Sequence, residues 1–177
     1  TTPVFQILCS GAHMLLMPDP KMKDISEDGF MEKQKQVYIS GALTSVWERI
    51  KLKVFYEEIG TSCETKGLFP YVPHKYKSLD TNPDISVEEM YHSNMEQVDK
   101  SNLMIAYVGA PSRGTGMEIE RANKNGIQVI ILSEKDKKVS RMVKGCPAVI
   151  KHIVFSDFAD ARKQLDVVLE EWIAANR

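Results

Sequence analysis

Residues 102–133 read NLMIAYVGAPSRGTGMEIERANKNGIQVIILS, in which two apolar runs enclose a polar turn and a helical pattern. The runs at 102–109 and 127–133 have the length and continuous hydrophobicity of strands that are buried on both faces. The segment 116–126 between them has helical periodicity and ends at Gly126, a typical helix stop. The stretch therefore predicts two parallel strands joined by a helix.

The sequence on both sides of this stretch alternates between strand and helix in the same way. Further strands are predicted at 36–40, 68–72 and 152–156. Further helices are predicted at 46–67, from about Ser86 to 101, at 139–145 and at 157–176. We therefore expect an α/β fold: a doubly wound five-stranded parallel sheet of flavodoxin/Rossmann-like order 2-1-3-4-5, with helices on both faces.

The helix predicted at 46–67 carries an apolar stripe. Val46, Ile50, Val54 and Ile59 fall near helical spacing and are expected to form the buried face of this helix. The charged residues between them are expected to face solvent.

Residues 1–36 differ in composition from the rest of the chain. The segment 18–30 is polar, contains two prolines and is typical of a loop, whereas 3–8 has the pattern of a short strand. We expect an N-terminal extension over 1–36, as a peripheral hairpin or loop, followed by a single domain over 37–177.

Composition excludes several classes of partner. The chain has 177 residues, is 43% hydrophobic and 27% charged, and carries a formal net charge of -1. No broad basic field indicates nucleic acid or a membrane surface, and neither is expected as a partner. No stretch approaches the about 18 consecutive apolar residues of a membrane span. The apolar run at 14–17 is too short for a secretory signal.

The cysteines and histidines indicate neither disulfides nor a metal site. Cys9, Cys63 and Cys146 are widely scattered and form no CxxC pair, which is typical of reduced thiols in a cytoplasmic protein. The four histidines show no metal-ligand spacing. We expect a cytoplasmic protein without metal or cofactor.

The predicted strand order locates a ligand site. Ligands bind such sheets at the carboxyl ends of the strands, where the winding reverses, and here the reversal lies between strands one and three. The segments that leave these strands are SGALTS (40–45) and GAPSRGTGME (109–118), both rich in glycine and hydroxyl groups. Substrate is therefore expected between them.

The second of these segments has the composition of an anion site. Gly114 and Gly116 permit close backbone approach at a helix start, and Ser112 and Thr115 add hydroxyl donors. It is neither a Walker loop, because no Lys-Ser/Thr follows, nor a GxGxxG motif. Nucleoside triphosphate hydrolysis and dinucleotide binding are therefore disfavoured.

Glu118 is the candidate reactive group. If the helix begins near Gly116, this carboxylate lies in the first helical turn, where the helix dipole stabilises an anion. An ionised carboxylate suits a nucleophile better than a general acid. The alternative is a structural glutamate that favours the helix terminus. Glu120 is expected to point elsewhere.

Four strings together resemble the nucleoside 2-deoxyribosyltransferase superfamily, and most closely its 2'-deoxynucleoside 5'-phosphate N-hydrolase branch. They are VYISGALT (37–44), NLMIAYVGAPSRGTGMEIERA (102–122), QVIIL (128–132) and KKVSRMVKGCPA (137–148). The resemblance covers about residues 36 to 172. It implies a catalytic domain over 37–177, a nucleotide or nucleoside substrate, and a place in nucleotide metabolism such as salvage.

The resemblance also implies a role for each site residue. Glu118 would attack the anomeric carbon of the sugar, with Ser112, Gly114 and Gly116 on the 5'-phosphate. Ser140 would reach that phosphate from a neighbouring subunit, which implies a homodimer with a shared active site. The sugar and base would be lined by Tyr38, Gly41, Ala42 and Leu43.

Several of these residues have a structural alternative. Tyr38 could instead be a core aromatic residue, and Ser140 a helix N-cap. Trp47 could stack on a base or simply pack, and His74 lies near the expected site but is more typical of structural duty.

The chain departs from the family pattern at two positions. Asn94 occupies the place of a helical aspartate that assists the leaving base or positions the sugar, and an amide cannot shuttle a proton. Thr44 stands where the phosphohydrolase branch has an arginine; Lys75, Lys77 or Arg113 could supply the missing charge.

Three functions remain open at this point. The first is hydrolysis of the N-glycosidic bond of a nucleoside 5'-monophosphate. The second is deoxyribosyl transfer between bases, for which Asn176 near the chain end is a weak indication. The third is nucleotide binding without turnover, which Asn94 would explain.

Overall fold

The computed structural model describes residues 34–43, 48–76 and 82–177 of the chain. The strands are β1 (Gln36–Gly41), β2 (Phe69–Tyr71), β3 (Leu103–Tyr107), β4 (Gln128–Glu134) and β5 (Val149–Phe155). The helices are α1 (Arg49–Thr65), α2 (Pro73–Tyr76), α3 (Val87–Asp99), α4 (Arg113–Lys124), α5 (Arg141–Lys144) and α6 (Phe158–Ala175).

Some predictions fall outside these residues. They concern most of the N-terminal extension, with the strand at 3–8, the run at 14–17 and the loop at 18–30, and also Thr44, Val46, Trp47 and Lys77. None of the helices that are described is long and apolar enough to cross a membrane.

The five strands form one parallel sheet in the order β2-β1-β3-β4-β5, which confirms the predicted topology. Gly41 at the end of β1 lies beside Tyr107 at the end of β3, and Tyr107 lies beside Leu132 of β4. The carboxyl ends of the central strands are therefore level with one another. The winding reverses between β1 and β3, as expected.

Helices cover both faces of the sheet, as predicted. On one face, α1 and α6 pack on a cluster that includes Phe55, Ile105 and Leu165. On the other face, α3 and α4 pack on a cluster that includes Tyr38 and Ile119. Because β3 lies between two helical layers, all five of its residues are buried, which its continuous apolar sequence predicts.

The predicted buried face of α1 is wrong at two positions. Ile50 is 82% exposed and Val54 is 53% exposed, whereas Ile59 is buried. A helix advances about 100° per residue, so Ile50 and Ile59, nine residues apart, project in opposite directions. The buried stripe instead consists of Leu52, Phe55, Tyr56, Ile59, Gly60 and Cys63.

Candidate active site

The helix that carries Glu118 begins earlier than predicted. α4 starts at Arg113, and its N-cap is Ser112, whose hydroxyl accepts a hydrogen bond from the Thr115 N–H at 3.2 Å. Gly114 and Gly116 therefore lie inside the helix. Glu118 lies in the second turn, so the prediction that it occupies the first turn is wrong, and its environment cannot be attributed to the helix terminus.

Glu118 is buried against β1. The side chain is 8% exposed. The Tyr38 hydroxyl donates to Oε1 at 2.8 Å, and the Ser40 hydroxyl donates to Oε2. Because side chains alternate along a strand, Tyr38 and Ser40 share one face of β1 and reach the two carboxylate oxygens together. Within the described parts of the chain, no lysine, arginine or histidine forms an ion pair with Glu118.

Burial dominates the electrostatics of this carboxylate. Desolvation raises the pKa of Glu118, and the hydrogen bonds from Ser40 and Tyr38 partly offset the increase. Burial and the adjacent charge of Glu118 raise the pKa of Tyr38 well above its usual value, so the phenol remains a donor. The expectation that the helix dipole keeps Glu118 ionised is therefore wrong. Burial instead favours the protonated form of this carboxyl group.

The hydroxyl groups of Tyr38 and Ser40 should influence the pH at which Glu118 ionises. They should therefore influence the acid limb of the pH profile of any reaction that needs ionised Glu118. Tyr38→Phe and Ser40→Ala each remove a hydrogen bond that lowers the pKa of Glu118. The carboxylate should then ionise at higher pH, and the acid limb of kcat/KM should move upward by about one pH unit. A pH profile of each variant measures this. A limb that stays in place, or moves downward, would contradict the assigned role.

Ser40 is the residue that sequence reasoning missed. The sequence pattern predicts only that Ser40 belongs to the hydroxyl-rich segment 40–45, and not that it contacts Glu118. The available signal was its spacing: it lies two residues after Tyr38, and therefore on the same face of a strand. Which of the two faces meets α4 could not be read from that spacing.

Two further polar atoms in α3 and α4 are buried without a hydrogen-bond partner among the described residues. They are Oδ1 of Asn94 and Oγ1 of Thr115. The two helices pack against each other, and Arg121 of α4 donates to both oxygens of Asp99 of α3 at 2.6 Å. Asn94 therefore belongs to a helix that contacts the one carrying Glu118.

The glycines of α4 leave space open. A Cβ at Gly116 would meet no heavy atom within 4 Å, and one at Gly114 would meet only the Ser112 hydroxyl, at 3.9 Å. Glycine inside a helix costs about 1 kcal/mol relative to alanine. Packing within the described residues therefore does not require either glycine.

The segment that follows β1 has structural contacts on the opposite face of the sheet. A Cβ at Gly41 would lie 2.3 Å from the Tyr56 ring, and the Tyr56 hydroxyl donates to the Ala42 carbonyl at 3.1 Å. Leu43 packs against the α1 side of the core. These contacts explain why Gly41 is glycine without a substrate. The predicted contact of Gly41, Ala42 and Leu43 with sugar and base stays a prediction.

The other predicted residues that the structure describes make no hydrogen bond with Glu118. Ser140 is the N-cap of α5, is exposed and makes no capping hydrogen bond with its side chain. His74 Nε2 lies 2.9 Å from Oε1 of Glu57, which favours the structural alternative. Glu120 is exposed, as expected, and so is Arg113.

Two surface depressions lie away from the carboxylate. One is lined by Ser62, Ala159, Arg162, Lys163 and Asp166. The other lies around Gly126, Pro147 and Ile150. Neither contains a predicted site residue, so the chemistry around Glu118, and not surface shape, locates the candidate site.

No protein-family profile matches the chain. Two curated relatives match by sequence, and both carry the name "Putative 2'-deoxynucleoside 5'-phosphate N-hydrolase 1". The chain is 35% identical to that of Methanosarcina barkeri over 95 residues, 54% of this chain and 58% of the relative. It is 33% identical to that of Methanosarcina mazei over 85 residues, 48% of this chain and 53% of the relative. The match thus spans little more than half of each relative.

Solved structures resemble the chain in fold. A CMP N-glycosidase from Clostridium botulinum has a TM-score of 0.58 and 20% identity, covering 76% of this chain and 99% of the other. A 2-deoxyribosyltransferase from Bacillus psychrosaccharolyticus has a TM-score of 0.53 and 16% identity, covering 72% and 90%. At these identities the likeness shows the fold alone.

Sequence and fold thus agree with the motifs. The predicted resemblance is confirmed: over about half of its length in sequence and about three quarters in fold, the chain is similar to proteins of the nucleoside 2-deoxyribosyltransferase superfamily.

Proposed function

We propose that the protein hydrolyses the N-glycosidic bond of a nucleoside 5'-monophosphate, with Glu118 as the nucleophile. The observation that carries this proposal is the environment of Glu118: a buried carboxylate, held by the hydroxyls of Tyr38 and Ser40. A cation that neutralised it would weaken a nucleophile, and none is paired with it in the described residues. The names of the Methanosarcina relatives support the same substrate class.

The reaction would proceed in two displacements. An oxygen of Glu118 attacks C1' of the sugar, the C1'–N bond breaks, and its electron pair leaves with the base, which takes a proton from water. A second water then attacks C1' and loses its proton to the hydroxide left by the first step, the ester bond to Glu118 breaks, and the carboxylate is restored as the sugar 5-phosphate departs. Tyr38 and Ser40 hold both oxygens of Glu118 at fixed positions, so that little reorganisation is needed during attack.

The start of α4 is proposed as the 5'-phosphate site. The first N–H groups of a helix have no intrahelical partner and attract anions. The Ser112 hydroxyl accepts from the Thr115 N–H and can still donate its own hydrogen to a phosphate oxygen. Exposed Arg113 adjoins this position and supplies a positive charge.

Gly114→Ala tests the phosphate site. Gly114 lies four residues before Glu118, about 40° from it around α4, and a Cβ there would meet only the Ser112 hydroxyl, at 3.9 Å, so the variant should be more stable by up to about 1 kcal/mol, because alanine favours the helix. The methyl group would occupy space proposed for substrate, so KM should rise about tenfold. Urea unfolding and steady-state kinetics measure the two effects.

Gly60→Ala is the matched control, because Gly60 lies inside α1 and a Cβ there makes only ordinary contacts, the nearest at 3.4 Å. This control should leave KM unchanged. If Gly114→Ala also left KM unchanged, the glycine would have no part in substrate binding.

We further propose that Ser140 completes the phosphate site of a second copy of the chain. Its exposed hydroxyl, free of a capping bond, supports this. A solution mass equal to one chain would contradict the shared site.

Free base is the diagnostic product. The full chain would be incubated with nucleoside 5'-monophosphates of each base, with the unphosphorylated nucleosides as controls, and analysed by chromatography. We expect free base from at least one monophosphate and much less from its nucleoside. If an acceptor base yields a new nucleotide or nucleoside, the activity is transfer. Tight binding without any product, also from the Asn94→Asp variant, would instead identify a binding protein.

A further inference from the structure

Tyr107 and Glu134 form a hydrogen-bonded pair at the carboxyl ends of β3 and β4. The Tyr107 hydroxyl donates to both carboxylate oxygens of Glu134, at 2.9 Å and 3.0 Å. Tyr107 is 3% exposed, and its ring packs against the rings of Phe55 and Tyr56, which hold it in place. Burial and the adjacent carboxylate raise the pKa of Tyr107, so the hydroxyl stays protonated and can donate.

The pair lies on the opposite face of the sheet from Glu118. Tyr107 belongs to the cluster under α1 and α6, whereas Tyr38, which binds Glu118, belongs to the cluster on the other face. Glu134 shares the face of Tyr107, because it lies two residues after Leu132, a member of the same cluster. The pair therefore has no part in the hydrogen bonds around Glu118.

The main chain at Gly109 crosses directly over this pair. A Cβ at Gly109 would lie 2.2 Å from Oε2 of Glu134 and 2.6 Å from the hydroxyl oxygen of Tyr107, so any larger residue would displace the pair. Glycine is also the residue with the greatest backbone freedom. Contact with the pair therefore limits the path that the chain takes at this position.

The loop that follows β3 has few other contacts to hold it. The Val108 N–H donates to the Leu132 carbonyl at 2.8 Å. In the part of the chain that the structure describes, residues 109–111 take part in no backbone–backbone hydrogen bond. Ala110 packs against the α1 side of the core, and Ser112 then caps α4. The pair and Ala110 thus hold the residues that lead into α4.

We propose that the Tyr107–Glu134 hydrogen bond positions the loop 109–112, and with it the proposed 5'-phosphate site at the start of α4. Both are positioning residues, which act through Gly109 and Ser112. The inference rests on the phosphate site of the proposed function and adds the residues that hold this site in place. Without the bond, Glu134 is free to turn to solvent, and the loop must be ordered on binding. This weakens phosphate affinity without changing the chemistry at C1'.

Inorganic phosphate is the probe, because it reports on the site independently of turnover. Heteronuclear NMR of the full chain would follow the backbone amide signals of residues 113–116 while phosphate is added. Phosphate should shift these signals in wild type. Tyr107→Phe keeps the ring and loses only the hydroxyl, and it should weaken phosphate binding about tenfold, the effect of one hydrogen bond.

Two variants of Glu134 separate the hydrogen bond from the charge. Glu134→Gln and Glu134→Ala both remove the charge, but only glutamine keeps an oxygen that accepts from the Tyr107 hydroxyl. Glu134→Gln should therefore bind phosphate about tenfold more tightly than Glu134→Ala. The double variant Tyr107→Phe/Glu134→Ala should bind no more weakly than either single variant, since each single change already breaks the same bond.

Gln128→Ala is the control for a general loss of stability. It removes the hydrogen bond that the Trp172 Nε1–H donates at 2.6 Å, at the amino end of β4 and so at the other end of the sheet. This variant should lower the melting temperature and leave phosphate affinity unchanged. In turnover, Tyr107→Phe should raise KM for the monophosphate about tenfold with kcat nearly unchanged.

The possible failures are distinguishable. The positioning role would be overturned by wild-type phosphate affinity in Tyr107→Phe, by an equal loss in Gln128→Ala, by additive losses in the double variant, or by no shift of the 113–116 signals in wild type. A fall in kcat with unchanged KM would also overturn it. Weaker phosphate binding by Tyr107→Phe, with no free base from any monophosphate, would contradict the cleavage proposal and leave this inference standing.

Discussion

Glu118→Gln should lower base release by about 10⁴-fold or more and should also make the protein more stable at neutral pH. The loss follows because an amide cannot act as the nucleophile at C1'. The gain follows because the fold buries the carboxylate with two hydroxyl donors and no paired cation among the described residues. Glutamine has nearly the same shape and carries no charge to desolvate.

The stability gain should depend on pH in a defined direction. The pKa of Glu118 is raised in the folded protein, so the folded protein binds this proton more tightly than the unfolded chain does. Its contribution to stability is therefore full at low pH and is lost as pH rises from the unfolded pKa through the folded pKa. Glutamine does not titrate, so the difference between the variant and wild type should grow over that window.

Melting temperatures from pH 4 to pH 8 measure this effect, with about 2–4 °C expected for each kcal/mol in a protein of this size. Glu120→Gln is the control, since Glu120 is exposed on the same helix and should show little effect. A Glu118→Gln variant that is less stable at pH 8, or that keeps its activity, would show that Glu118 is a structural residue.

Asn94→Asp should raise base release by about 100-fold or more. Asparagine can hold a sugar hydroxyl but cannot transfer a proton, and general acid–base catalysis typically contributes 10²–10⁴-fold. Asn94 Oδ1 is buried without a partner among the described residues, so an aspartate there would be desolvated. Desolvation raises the pKa of a carboxyl group, and an aspartate that keeps its proton near neutral pH could pass it to the departing base.

Single-turnover base release by wild type and variant measures this increase. Asn123→Asp is the control, because it adds the same charge to α4 beyond the site and should leave the rate unchanged. A rate for Asn94→Asp that is unchanged or lower would mean that the leaving base takes its proton elsewhere, and that the amide suits this protein's own reaction.

Much of the fold could be predicted because its signals are local. β3 and β4 are continuous apolar runs, and such runs occur where helices cover both faces of a sheet. Their parallel order follows from the helix between them. Pro70 did not prevent the prediction of β2, because β2 is an edge strand, where a missing N–H is tolerated.

The errors concern features that local spacing does not determine. Which face of α1 is buried depends on the sheet beneath it, and steps of four residues drift around a helix by about 40° each. The start of α4 depends on Ser112 acting as cap, which places two glycines inside the helix against their propensity. The raised pKa of Glu118 depends on burial by residues distant in sequence, among them Ser40.

The central claim is that Glu118 forms a bond to C1', and a covalent intermediate tests it most directly. The protein would be incubated with a 2'-fluoro nucleoside 5'-monophosphate, whose fluorine slows the second displacement, quenched in acid, digested and analysed by mass spectrometry. We predict a sugar 5-phosphate ester on the peptide that contains Glu118, and none in Glu118→Gln. Release of base with no adduct, or an adduct on another residue, would contradict the account.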